Sequence, residues 1–346
     1  MFKIREKRLG MKVNIKQISE LTGFSPATVS NALNHKRGVN KETAETIFKV
    51  AKELGYITDT GISKIKFVMY RRNGQVINDT PFFTLMINGV ERACMDAGYE
   101  MMMVHLDRFS ADYAEQAEAL INDSTSALVL LGTEVIGEDL KLFHDIKSPM
   151  ITLDYFSPDM KFDGVAINNE DSFFLATKYL IDMGHTNIGY LSGKFRIRAF
   201  RLRNRGYQKA MNGAGLNILP EFRVPLSTTM EDAYQDMKAY LATSPKLPTA
   251  YIADNDMIAL GAMRALQESH IRIPEDVSII GFDDLPYSEI CSPRLTSIRV
   301  PKQEMGRMAV ERLITVLNND NGIKTKIEVS TEFIIRDSVR RIKLIR

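Results

Sequence analysis

Asp283 and Asp284 stand side by side in Ile280-Gly281-Phe282-Asp283-Asp284, and Asn255 and Asp256 follow Ile252-Ala253-Asp254. Paired carboxylates can act as general acid and base. Here no nucleophile, metal-ligand set or second acid at suitable spacing accompanies them, and no GxGxxG or P-loop supports nucleotide-dependent chemistry. The chain therefore reads as a binding protein and not an enzyme, with no cofactor. A carboxylate such as Asp283 can accept two hydroxyl hydrogens at once, and an amide such as Asn255 both donates and accepts, a combination that suits a polyol. Asp154, after an apolar run, can accept hydroxyl bonds or cap a helix. A second cluster, from Lys194 to Tyr207, holds Arg196, Arg198, Arg201, Arg203 and Arg205 with no acid among them. Such cations favour an anionic ligand, or else form a solvated or intersubunit charged surface.

These residues need elements to hold them. From position 65 onward, β-rich apolar runs at 100–105, 127–131, 150–153, 188–191, 249–253 and 277–281 alternate with helical stretches at 85–97, 113–121, 172–183, 203–212, 257–269 and 304–317. Alternation of this kind predicts parallel α/β sheets covered on both faces. Ligands of such sheets sit beyond the carboxyl ends of the strands, where Asp154, Asn255 and Asp283 fall.

The segment 14–56 is different. Ile15, Ile18 and Leu21 fall at helical spacing, as do Ala44, Ile47, Ala51 and Leu54. A tight turn is expected at Thr22-Gly23-Phe24, and Ser25 followed by Pro26 reads as an N-cap and first turn. Three short helices of this kind make a helix-turn-helix, which delivers its second helix into a DNA major groove. Charge agrees: residues 1–64 hold 12 Lys or Arg against 6 Asp or Glu, while the remainder holds 33 against 37. A basic headpiece on a mildly acidic body suits a phosphate-binding module joined to a regulatory one.

The run Ile18-Ser19-Glu20-Leu21-Thr22-Gly23-Phe24-Ser25, then Ala27 to Asn34, and Glu53-Leu54-Gly55-Tyr56 closing the third helix, resembles the lactose repressor/galactose repressor (LacI/GalR) family. That resemblance implies an all-α helix-turn-helix headpiece on a two-lobed core like the periplasmic binding proteins. It implies a transcription regulator, most simply a repressor of carbohydrate-metabolism genes, that binds double-stranded operator DNA as a homodimer. A sugar-like effector would sit in the interlobe cleft. An activator, a co-repressor-dependent regulator and a solute-binding protein for transport are the rivals.

The DNA-reading candidates are Ser25, Pro26, Ala27, Ser30, Asn31 and Asn34, with Thr28, Lys36, Arg37 and Lys41 as phosphate contacts. Many relatives have Arg at the position of Asn31; Asn bonds adenine where Arg prefers guanine, so a shifted operator is expected. Thr80-Pro81-Phe82-Phe83 resembles the family's Asn-Pro-Phe-Phe, whose aromatic ring stacks on a sugar face, making Phe82 or Phe83 a candidate. Arg203 matches an arginine that contacts effector hydroxyls in the family. Arg196, Arg198 and Arg201 would add contacts to a sugar phosphate or sugar acid.

The domains expected are a basic extension at 1–11, the headpiece at 12–57, a linker at 58–64, one lobe from 65–160 and 286–320, and the other from 161–285 and 321–340. Relatives follow the headpiece with a hinge helix whose leucine wedges into the minor groove. Here seven residues containing Gly61 precede the first strand, so that helix is expected to be absent, with Ile62 a weak wedge and little DNA kinking. No apolar run approaches membrane-spanning length, and the first ten residues lack a secretory apolar stretch, so the cytoplasm is expected. Cys94 and Cys291 show no metal or redox spacing and read as structural.

Overall fold

The computed structural model describes residues 14–33, 38–54, 62–77, 81–318 and 322–342. In the headpiece, α1 (Ile15–Thr22) starts at a capping box: Asn14 Oδ1 accepts the Gln17 N–H at 3.1 Å and Gln17 Oε1 accepts the Asn14 N–H at 3.0 Å. It ends at Gly23, whose φ of 75° is the left-handed cap that glycine adopts without penalty. The second helix α2 (Pro26–Leu33) is capped by Ser25, whose hydroxyl accepts the Thr28 N–H at 3.1 Å. Ile18, Val29 and Ala32 pack with Ile47 and Ala51 of α3 (Lys41–Glu53) in one small core. Leu21, although at helical spacing, is 60% exposed; this core is filled from α1 by Ile18 and, at its edge, Ile15.

The body begins with β1 (Lys64–Arg71), α4 (Pro81–Asp96), β2 (Glu100–Asp107), α5 (Tyr113–Asn122), β3 (Ser126–Leu131), β4 (Met150–Leu153) and β5 (Asp163–Ile167). The chain then crosses to α6 (Asn169–Asp182), β6 (Ile188–Gly193), α7 (Arg198–Gly213), β7 (Arg223–Leu226), α8 (Met230–Leu241), β8 (Ala250–Ala253), α9 (Asp256–Glu268), β9 (Ser278–Ile280), α10 (Tyr287–Ile290) and β10 (Ser297–Arg299). It closes with α11 (Lys302–Asn318), β11 (Lys326–Val329) and β12 (Glu332–Ile334). One parallel sheet has the order β11-β5-β4-β3-β1-β2 and the other β7-β6-β8-β9, while β10 and β12 form an antiparallel pair. Strands buried along their whole length, such as β3, β4 and β6, are what parallel sheets covered on both faces require.

Hydrogen bonding moves the expected lobe boundaries. β5 pairs with β4, and β11 pairs with β5, so 163–167 and 326–329 belong to the first lobe and not the second. Thr296 and Arg299 bridge to Ile280 and Asp283, so the return crossing lies near Val300 and not Pro286. The final segment rejoins the second lobe through β12 and through the Ile279 N–H to Ser338 C=O bond at 2.8 Å. Of the expected linker 58–64, residues 58–61 lie outside the described residues, and Lys64 already opens β1. Ile62 packs against the main core, which removes it as a wedge in this conformation.

Candidate effector cleft and DNA-reading helix

Asp154 follows β4 and Asp283 follows β9, and both sit at positive φ, 60° and 110°. Non-glycine residues in that region are uncommon and concentrate at functional sites. Both carboxylates are buried. Thr133 donates its hydroxyl to Asp154 Oδ2 at 2.7 Å, while the buried Oδ1 has no partner among the described residues. Burial pushes Asp154 up to about 6, the Thr133 bond and the Arg203 charge opposing. The same cause pushes Asp283 up to about 7 despite Arg203 and Lys302 nearby.

Arg203 is the centre of the cluster. Its guanidinium lies 3.7 Å from Asp283 Oδ1, donates from Nε to Asn169 Oδ1 at 2.8 Å and from Nη1 to the Asp254 carbonyl, and stacks 3.5 Å from the Phe282 ring centroid. Lys302, the first residue of α11, is buried and donates to the Asp283 carbonyl from the opposite lobe. Burial lowers its pKa. Its ammonium also lies 5.6 Å from the Phe82 ring centroid. Phe82 and Phe83 pack edge to face at 5.0 Å and both join the main core, so burial and stacking on a ligand compete for the same rings. Asn255 caps α9, its Oδ1 accepting the Ile258 N–H at 3.0 Å, so the acceptor expected for a polyol is already engaged. Asp256 holds Ser288, Ser297 and the Leu285 N–H and serves the crossover.

The basic run divides. Arg196, expected to meet an anion, donates to the buried carboxylate of Asp254 and at 2.7 Å to the Phe200 carbonyl; its charge is neutralised inside the lobe, which corrects that expectation. Lys194 pairs with Asp236 at 2.6 Å. Arg198 lies 5.6 Å from the Tyr155 ring centroid across the cleft, and Arg201 donates to the Arg196 carbonyl at 2.8 Å. Among the described residues, neither of these two has a carboxylate within ion-pair distance. A cavity of about 870 Å³ opens between α4, α8 and α10, lined by Ile77, Leu85, Met230, Met257 and Tyr287; Asp154, Arg203 and Asp283 do not line it.

On α2, Ser25, Pro26 and Ala27 are exposed, Thr28, Ser30 and Asn31 partly so, and Val29 and Ala32 are buried. The exposed face of α2 thus alternates with its packing face at helical period. The Thr28 hydroxyl is 2.8 Å from that of Ser25 and takes part in the cap. Asn34, Lys36 and Arg37 lie outside the described residues.

Residues 14–59 match the model for bacterial regulatory proteins of the lacI family, and residues 177–339 match a periplasmic binding protein-like domain. The HTH-type transcriptional repressor PurR of Haemophilus influenzae (strain PittEE) is 33% identical over 334 residues, covering 95% of this chain and 99% of that protein. PurR of Pasteurella multocida (strain Pm70) is 32% identical over 329 residues, covering 94% and 98%. The chain belongs to the lacI family of bacterial regulatory proteins.

The fold of this lacI-family chain is also that of a transcriptional regulator CelR–cellobiose complex (TM-score 0.71, 24% identity, 94% of this chain and 99% of that one) and of a lac repressor dimer bound to operator and the anti-inducer ONPF (TM-score 0.70, 21%, 95% and 100%). A lacI-family chain is a DNA-binding transcription regulator, and its headpiece and α/β core account for the two modules described above. No helix among the described residues is long and apolar enough to cross a membrane.

Three cleft residues were not singled out from the sequence as ligand-site candidates. Thr133 follows β3 and could have been found by the rule that located Asp154. Asn169 opens a helix and reads as a cap. Lys302 carries no signal at all, since a lysine at the start of an amphipathic helix normally lies in water.

Proposed function

We propose that this chain is an effector-responsive repressor that binds a near-palindromic operator as a homodimer in the cytoplasm and takes a polyhydroxylated, sugar-like effector between its lobes. The observation that carries the reading is the buried cluster Asp154, Arg203 and Asp283, with one Asp154 oxygen bare, in a chain headed by a helix-turn-helix. A buried carboxylate oxygen without a partner is costly, and a ligand hydroxyl would satisfy it. The relatives named as repressors support the direction of regulation. An effector contacting Asp154 on one lobe and Arg203 or Asp283 on the other binds the closed state better than the open one. It shifts headpiece spacing only by that difference in affinity.

Exposed apolar side chains supply a surface for the homodimer. Met95, Met102 and Met103 lie on α4 and the edge strand β2, Met230 and Tyr287 line the 870 Å³ cavity, and Ile290 is exposed at the end of α10. Such clusters mark interaction faces. Arg198 and Arg201, with no acid partner among the described residues, favour a sugar phosphate or sugar acid over a neutral sugar.

A thermal-shift screen of sugars, sugar acids and sugar phosphates, repeated with operator DNA, tests the reading. A compound that raises the melting temperature by mass action and changes operator affinity is the expected result. Stabilisation by none of these classes, or stabilisation without any effect on DNA binding, would overturn it. Sedimentation of the full chain should show a dimer.

A further inference from the structure

The loop after β1 is held in an unusual way. Glu134, fully buried just beyond β3, accepts five backbone N–H bonds from it: from Arg72, Asn73 and Gly74 to Oε2 at 2.8, 3.1 and 2.9 Å, and from Val76 and Ile77 to Oε1 at 2.9 and 3.2 Å. A single carboxylate therefore sets the path of residues 72–77, with Gly74 at φ 70° making the turn. Carboxylates bonded by several backbone amides form strong, charge-assisted contacts, so the strap is a shaped element and not a slack loop.

The strap faces both lobes. Ile77 packs into the main core with Phe82 and Phe83. Its neighbour Val76 packs instead with Ile197, Ala199 and Phe200 of the second lobe, a separate apolar cluster. The Thr228 hydroxyl, also from the second lobe, donates to the Gln75 carbonyl. Neither contact involves Asp154, Arg203 or Asp283. At the other end, Glu134 directly follows Thr133, the residue bonded to Asp154. The grip on the strap and the grip on the ligand-facing carboxylate are adjacent in one turn.

We propose that residues 72–77 form an interlobe latch: held by Glu134, the strap seats Val76 on Ile197, Ala199 and Phe200 and sets how often the lobes part. The latch biases the open-closed equilibrium without touching an effector, so it tunes affinity for any ligand that prefers the closed state.

The test uses the ligand-free full chain carrying Cys291→Ser and Ala199→Cys, and reads the rate at which the thiol at position 199 reacts with an exposed-thiol reagent. Position 199 is 8% exposed beneath Val76, and buried Cys94 reports global unfolding in the same sample. Adding Val76→Ser or Thr228→Val should speed labelling by about fivefold or more, with Cys94 still protected. Unchanged rates in both variants, or labelling of Cys94 in parallel, would overturn the latch. Ile197→Cys supplies a second reporter if Ala199→Cys fails to fold. Because no effector or DNA is present, failure here leaves the proposed function standing, and failure of the ligand screen leaves the latch standing.

Discussion

Thr133 and Asp154 meet at 2.7 Å, and the bond occupies only one of the two carboxylate oxygens. The other is buried and has no partner among the described residues. Asp154→Asn keeps the shape and removes a buried charge. The ligand-free variant should therefore melt at or above the wild-type temperature while losing most of the response to whichever compound stabilises wild type. A melting temperature well below wild type, or an intact ligand response, would place Asp154 in the fold and not the site.

Burial raises Asp283 to about 7 and Asp154 to about 6, so the folded state holds these protons more tightly than the unfolded chain does. Their contribution to stability is full below the ordinary carboxylate range near pH 4 and is lost as pH rises through about 6 to 7. Between about pH 4 and 7 the ligand-free protein should lose stability from this source, at most about 1.4 kcal/mol per pH unit for each group. Urea melts at both ends of that range should show a shallower loss for Asp283→Asn than for wild type. Equal slopes would count against the assignment.

Arg196 and Arg198 are two residues apart and should behave in opposite ways. Arg196→Ala leaves Asp254 buried without its cation, which should cost roughly 3 to 5 kcal/mol in chemical denaturation. Arg198→Ala and Arg201→Ala should stay within about 0.5 kcal/mol of wild type. If the effector is anionic, only these two variants weaken it while leaving the fold intact, which calorimetry with matched neutral and anionic sugars would resolve.

Asn31 is partly exposed on the reading face of α2, between buried Val29 and Ala32. Selection of binding sites from random DNA should show Asn31→Ala relaxing the preference at one position of each half-site, at a cost of about 1 to 3 kcal/mol for the preferred base. Lys41→Ala should instead weaken all sites alike and flatten the salt dependence. An unchanged half-site would remove Asn31 from the readers.

The parts legible in the sequence were those with local signatures. The capping serine, the glycine turn and the periodic apolar face specified the headpiece, and strand ends pointed to Asp154 and Asp283. Arg196 misled because its partner Asp254 lies 58 residues away, so the run from Lys194 showed cations and hid the acid that neutralises one of them. Asp163-Gly164-Val165-Ala166-Ile167 is a short strand opened by Asp and Gly, and its lobe is decided by pairing with β4, which no local pattern encodes. Lys302 reads as solvated because its burial follows from where α11 lands after the crossing.

The chain passes between the lobes after β5, near Val300, and between β11 and β12. Each lobe is thereby finished by residues made after most of the other. A ribosome that has released only 320 residues has produced neither the edge strand β11 nor the final segment that bonds Ile279 and Met183. Neither lobe can reach its complete sheet contacts before residues 326–342 emerge. A two-lobed body built this way completes neither lobe ahead of the other, and removing residues 326–342 would take the closing contacts from both lobes together.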